Sequence, residues 1–262
     1  MVRDVGGLRV CCAAASCAPG REQSTYSERE YGVGGIGIIR LGEKRIGGGL
    51  ERTGPALRAV LAVGAHPDDL ELGCGGTLAL HKLNGDQVYL LVLTKGEASG
   101  DAEAREHECR RAAEILGVDQ LFFGEMRDTR VHDGRETIDV IENVIDEVHP
   151  DIIYAPTPKD THQDHRNTGH ATMSAGRRCK MILLYEGAST QRDFYPQVFV
   201  DIEKTFEKKM WAIRVFGSQL NNQRGGYARA VQGIEGLARL RGYQAGLTVA
   251  EAFEVGRFIF EV

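Results

Sequence analysis

From residue 58 onward the chain alternates short apolar runs with amphipathic stretches, and this alternation restricts the fold more than any other feature. The runs are RAVLAVG (58–64), VYLLVLT (88–94), QLFFG (120–124), DIIYA (151–155) and KMILLY (180–185). Each is too short, and too rich in β-branched or aromatic residues, to favour a helix; together they read as buried strands of a parallel sheet. A further run, QVFVDI (197–202), alternates in the manner of an edge strand. Between the runs, Cys109, Ala112, Ala113 and Leu116 fall at helical spacing, and Ile138, Ile141, Ile145 and Val148 do the same before Pro150 ends the pattern. Helices are also expected at about 75–84, 166–177 and 203–214. Strand and helix taking turns predicts an α/β, Rossmann-like, doubly wound and mostly parallel sheet with helices on both faces. In such sheets ligands bind beyond the carboxyl ends of the strands, so those ends are where chemistry is to be sought.

The region before this pattern has a different character. Residues 1–54 hold 12 of the 33 glycines and show no sustained period. They are expected to be a poorly ordered N-terminal extension, with the domain occupying 55–262. LRVCCAAASC has the outline of a short signal or lipid-attachment sequence. Its apolar stretch is brief and Asp4 precedes it, so it reads as a non-secreted tail or as the product of a start codon placed too far upstream. A net charge of −5 and the lack of any Lys/Arg run give no footprint for nucleic acid. No apolar stretch reaches the ~18 residues of a transmembrane segment. Six cysteines without a CxxC pair or regular spacing read as free thiols of a cytoplasmic protein.

Two clusters sit at strand ends. The first strand runs into Ala65-His66-Pro67-Asp68-Asp69 and then LELGCGGT; the fourth runs into Pro156-Thr-Pro-Lys-Asp160-Thr-His162-Gln-Asp164-His165. A lone histidine or a Pro-Asp-Asp turn is usually only a loop or a cap. Two such clusters over one sheet edge are better explained by a shared pocket. Catalytic zinc takes about three His or carboxylate ligands and leaves a position for water. His66, one of the adjacent aspartates and His165 supply such a set. A base and an oxyanion donor could come from the residues left over. The GCGGT glycines lack the following lysine of a phosphate loop and read as a close backbone approach.

AHPDDLELGCGGT and HQDH resemble the two signature motifs of the PIG-L/LmbE-like deacetylases. The resemblance extends through TKGE (94–97), the helix near Arg105, Asp128-Thr-Arg, and DxHxDHR (160–166). It implies zinc ligands His66, Asp69 and His165, a general base Asp68, and His162 as oxyanion donor or acid to the departing amine. It also implies that Asp164 orients His162 and that Arg105 binds substrate; a surface ion pair of Arg105 with Asp101 or Glu108 is the plain alternative. The metal is expected to be Zn2+, with another divalent ion such as Fe2+ as the alternative. The implied reaction removes the N-acetyl group of an N-acetylglucosamine-type conjugate, a small-molecule partner. A larger-acyl amidase and a non-catalytic sugar or nucleotide binder are the rival readings. The chain could also form a homo-oligomer. His81, His107, His132, His149 and His170 are expected to be structural or solvated, and Trp211 to lie in the core. Loops at Glu186–Pro196 and Gly217–Gly236 are expected to wall the pocket, with late helical residues Tyr243–Phe253 packing back on the domain.

Overall fold

The structure, a computed structural model, describes residues 37–38, 57–221 and 226–259. Seven strands form one sheet: β2 (Ala59–Gly64), β3 (Gln87–Thr94), β4 (Gln120–Met126), β5 (Ile152–Pro156), β6 (Met181–Tyr185), β7 (Val198–Asp201) and β8 (Ala250–Phe258). The two-residue β1 (Gly37–Ile38) pairs with β7 and makes the order β1-β7-β8-β6-β5-β2-β3-β4. All neighbouring pairs are parallel except those made by β8, which runs antiparallel between β6 and β7. The rest of the expected extension over 1–54 lies outside the described residues.

The five expected buried strands stand where the apolar runs lie, and the helices α1 (Asp69–Leu83), α2 (Ala102–Leu116), α3 (Arg135–Val148) and α4 (Gln163–Ala175) alternate with them. Central strands with both faces covered must be apolar on both, which is why β2 and β3 read as continuous hydrophobic runs. One core layer packs α1, α2, α5 (Phe206–Arg214) and α7 (Gly226–Ala245) on the sheet through residues such as Leu70, Leu78, Leu116, Ala212 and Ala238. The other packs α3 and α4 through Ile141, Val144, Ala171 and Ala175.

Several expectations are corrected. The stretch expected as late helix over Tyr243–Phe253 is divided: α7 stops at Ala245, Gly246 turns the chain at φ 70°, and β8 begins at Ala250. The stretch Gly217–Gly236 is a short helix α6 (Gly217–Leu220) and most of α7. Its glycines lower helix propensity, but burial of Ala238 and packing of Val231 and Ile234 outweigh that cost. Trp211 is 57% exposed, because α5 turns Met210 and Ile213 to the interior and leaves Trp211 outward. The helix expected from residue 75 starts at Asp69, so GCGGT is helical. A Cβ at Gly73 would lie 2.1 Å from the Tyr185 ring, and one at Gly76 2.9 Å from Ile202. The close approach is therefore of helix to neighbouring side chains.

The strand order reverses at β2, which has β3 on one side and β5 on the other. The carboxyl ends of β2 and β5 are thus the topological switch point, and both histidine clusters leave the sheet there.

Candidate metal centre and active site

The turn after β2 is closed by its own acid. Asp69 Oδ2 accepts from the backbone amides of Ala65 (2.9 Å) and His66 (2.8 Å), and Thr94 on β3 donates to Ala65 O from both its amide and its hydroxyl, each at 2.9 Å. Asp68 is forced to φ 106°, a left-handed conformation that side chains rarely adopt and that tends to persist only where surrounding structure holds it. Arg105 is part of that hold. Its guanidinium is 3% exposed and donates to Pro67 O (2.8 Å), Gly96 O (2.8 Å) and Ser99 Oγ, with Asp68 Oδ1 3.8 Å away. Gly96, at φ 67°, has no room for a Cβ, which would stand 2.0 Å from the guanidinium. The surface pair of Arg105 with Asp101 or Glu108 is not formed: the buried guanidinium ties the TKGE loop to the His-Pro-Asp turn, because two carbonyls of those loops converge on it.

The second cluster enters through α4. His162 is its N-cap, and its Nδ1 accepts from the Asp164 amide at 3.2 Å. An accepting Nδ1 leaves the proton of the neutral ring on Nε2. His165 turns Nε2 toward His66 Nδ1 (3.3 Å) and Asp69 Oδ1 (3.2 Å), while its Nδ1 faces Asp160 Oδ2 at 3.3 Å. Asp160 is itself held by the His162 amide (2.7 Å) and Ser189 Oγ (2.6 Å). The far nitrogen of His66, Nε2, meets Asp128 Oδ1 at 3.0 Å and Asp164 Oδ2 at 3.2 Å.

Asp164 therefore departs from expectation. Its carboxylate lies against His66 and the Thr129 amide (2.8 Å), and it reaches His162 only through its own backbone N–H. The side chain is fully buried because the first turn of α4 points it inward, beneath the half-buried cap His162. Sequence reasoning assigned no role to Asp128 or Asp160, although both stand in the quoted Asp-Thr-Arg and DxHxDHR matches. Of the histidines expected to be structural or solvated, His81 is buried between Asp86 (2.6 Å) and Tyr154 (2.9 Å), and His107, His132, His149 and His170 are exposed.

Residues 61–176 match the family model described as PIG-L: GlcNAc-PI de-N-acetylase. The uncharacterized deacetylase YaiS of Escherichia coli K12 is 37% identical over 165 residues, which span 60% of this chain and 89% of that protein. This chain belongs to the PIG-L family. Diacetylchitobiose deacetylase of Thermococcus kodakarensis is 36% identical over 188 residues, 62% of this chain and 70% of its own. The crystal structure of the conserved protein TT1542 from Thermus thermophilus superposes with a TM-score of 0.71 at 28% identity, covering 79% of this chain and 98% of that one. A 4-oxalmesaconate hydratase of Pseudomonas putida is also similar, 26% identical over 196 residues (62% and 74%). PIG-L relatives thus carry more than one reaction name, and function has to be argued from the site.

In this PIG-L chain two groups of side chains have donors close enough to hold a metal ion together: His66, His162 and His165, and His66, Asp128 and Asp164. They lie on opposite edges of the His66 ring. On the Nε2 edge, Asp128 already accepts the Ala98 amide (3.0 Å) and Asp164 the Thr129 amide, and all three residues are buried. On the Nδ1 edge, His66 Nδ1 and His165 Nε2 stand 3.3 Å apart, with Asp69 Oδ1 3.2 Å from His165 and Asp69 Oδ2 3.6 Å from His66, beside half-buried His162 and Asp68. Tetrahedral zinc with bonds of ~2.0–2.1 Å separates its ligands by about 3.3–3.4 Å; the His66–His165 pair has that spacing, and the Asp69 carboxylate offers one oxygen toward each histidine. Each histidine also has a carboxylate on its other nitrogen, the usual way of fixing a ligating imidazole.

The electrostatics agree. Burial alone would lower the His66 imidazole, but Asp128, Asp164 and Asp69 outweigh it and hold it well above its ordinary range. His165 is likewise lowered by burial, yet raised on balance to about 10 by Asp69 and Asp160. Burial would raise Asp69, and the two histidines instead keep it well below the carboxylate range. Burial and the Asp69 charge push Asp68 up to about 7, against the pull of Arg105 and the histidines. Burial, then the charges of His165 and His66, lower His162 and favour its neutral form.

Proposed function

We propose that the protein is a zinc-dependent hydrolase that removes the acetyl group from an N-acetylglucosamine-type sugar conjugate, with Zn2+ held by His66, Asp69 and His165. One observation carries the reading. The His66 and His165 imidazoles face each other at 3.3 Å with the Asp69 carboxylate within 3.6 Å of both, while Asp68 and the Nε2–H edge of His162 stand beside them. The deacetylase names of the relatives supply the reaction class.

When bound, a divalent ion there would lower the pKa of water toward ~7 and place positive charge beside a developing oxyanion. The chain does the rest. Asp68 accepts a proton from water as the water oxygen bonds to the acetamide carbonyl carbon. Its raised pKa suits a base that must later release that proton. His162 Nε2–H donates to the carbonyl oxygen as it gains charge. The C–N bond then breaks, the proton on Asp68 passes to the departing nitrogen, and acetate and a free amine leave. His66 and His165 are kept in their ligating orientation by Asp128 with Asp164 and by Asp160.

Among the described residues no helix is long and apolar enough to cross a membrane. Cys74, Cys109 and Cys179 are free and buried, which suits a reducing, cytoplasmic setting. The reading assigns the activity to residues 55–262. It is tested by acetate release from N-acetylglucosamine conjugates together with metal analysis. Stoichiometric zinc, and activity lost to a chelator and restored by zinc, are expected. Full zinc occupancy with no acetate from any conjugate would end the reading and direct attention to hydration chemistry.

A further inference from the structure

A cavity of about 560 Å³ opens on Asp68 and runs between the loop after β6 and helices α5, α6 and α7. An acetamide group fills only a small part of a space within the usual ~300–1,000 Å³ range of ligand pockets. Because the cavity begins at the proposed base, its occupant is the part of the substrate attached to the reacting amide.

The larger part of the wall is apolar: half-buried Leu72, Ile234 and Leu237 line it, together with buried Ile213, Phe216 and Leu220. Most of its polar side chains already have protein partners. Arg241 is held by both oxygens of Glu186 at 2.6 Å, and Lys209 is paired with Glu251. Thr190 accepts the Gly187 amide and donates to Asp160, Gln191 donates to Asp160 O, and Gln219 bonds Ser99 and Ser218. Arg192 and Arg229 are exposed, without an ion-pair partner among the described residues. A second sugar ring would bring hydroxyls that find few free partners on this wall, and an unmet hydrogen bond discriminates strongly against a ligand. An alkyl or aryl group would be matched to it.

We propose that the cavity is an aglycone subsite for an apolar group, so that the preferred substrate is an alkyl- or aryl-bearing N-acetylglucosamine conjugate and not an oligosaccharide. The inference rests on the deacetylase reading. It assigns Ile234 and Leu237 of α7 as specificity determinants.

The test compares acetate release by the zinc-supplemented protein from N-acetylglucosamine, N,N'-diacetylchitobiose, and the hexyl and phenyl glycosides of N-acetylglucosamine. The two glycosides are expected to show kcat/KM about tenfold or more above the other two. Leu237→Asp should lower the ratio of hexyl-glycoside to free-sugar kcat/KM about tenfold, and Ile234→Asp provides the same readout if the first variant does not fold. Equal or better turnover of diacetylchitobiose, or a ratio unchanged in a folded variant, overturns the subsite while leaving the deacetylase intact. If no compound releases acetate, the deacetylase reading fails, and calorimetric binding still decides the cavity: a hexyl glycoside bound no more tightly than diacetylchitobiose overturns it too.

Discussion

The two ends of the cavity are built on different principles. At the strand ends, five aspartates and three histidines are fixed by short-range backbone bonds, such as Asp69 to the Ala65 and His66 amides, and by carboxylate–imidazole pairs. At the α6–α7 end, the wall is a set of apolar side chains brought together only by packing of a glycine-bearing helix against β8 and α5. In the first region a displacement of a few tenths of an ångström matters, because donors must meet one ion and one base must reach one proton. In the second, shape and polarity matter while individual positions are more forgiving. Reaction and specificity are thus carried by separable parts of the molecule, and substitutions should divide the same way.

The largest effect is expected at Asp68. Asp68→Asn should reduce turnover by about 10²–10⁴-fold while leaving zinc content unchanged, checked by acetate release and metal analysis; loss of zinc as well would merge the base with the ligand set. The wild-type rate should fall as pH is lowered, because the base works only when deprotonated. That acid limb should lie below about 7 in the zinc-loaded protein, where a nearby cation favours the carboxylate. Asp128→Asn should weaken zinc affinity or turnover by about 10–100-fold, measured by competition with a chelator, since it meets the proposed ligand set at the outer nitrogen of His66. Gly73→Ala should cost about 1–3 kcal/mol in denaturant unfolding, because its Cβ overlaps the Tyr185 ring. Trp211→Ala, on the outer face of α5, should change stability by no more than about 0.5 kcal/mol; a larger loss would mean that this face is covered in solution.

Metal removal gives a further check on the strand-end cluster. In the metal-free protein His165 has a folded pKa of about 10, above its unfolded value of ~6.5. The stability it contributes is therefore fully present below about pH 6.5 and lost as pH rises through about 10. Zinc must displace that proton, so its affinity should rise with pH over the same interval. An affinity independent of pH would remove His165 from the ligand set.

Much of the first region was legible in the chain. His66 follows a continuous apolar run and His165 follows another, and in a parallel sheet both runs must end over one edge. The resemblance to PIG-L motifs then named Asp68 and Asp69 individually. What could not be read was which partner each residue meets. Asp128 and His66 are 62 positions apart, and nothing in a loop such as Asp-Thr-Arg says that its carboxylate enters behind an imidazole. The resemblance pairs Asp164 with His162, yet the helical turn sends its carboxylate to a residue 98 positions away. Arg105 stands four residues before Cys109, on the inward side of α2, but only the convergence of Pro67 O and Gly96 O makes it a brace.

The alternation of apolar runs by itself determined the sheet, the order of its elements and the edge where chemistry lies, because burying both faces of a parallel strand leaves little freedom in composition. Tertiary structure alone decided the antiparallel entry of β8, the helical form of Gly226–Ala245 and the cavity between them. Glu251 shows the reason. Its buried charge suits β8 only because Lys209, 42 positions earlier, and the amides of Gly76 and Thr77 arrive beside it from two other helices. Local sequence records what a residue can do; which groups come to meet it depends on contacts that exist only once the chain has folded.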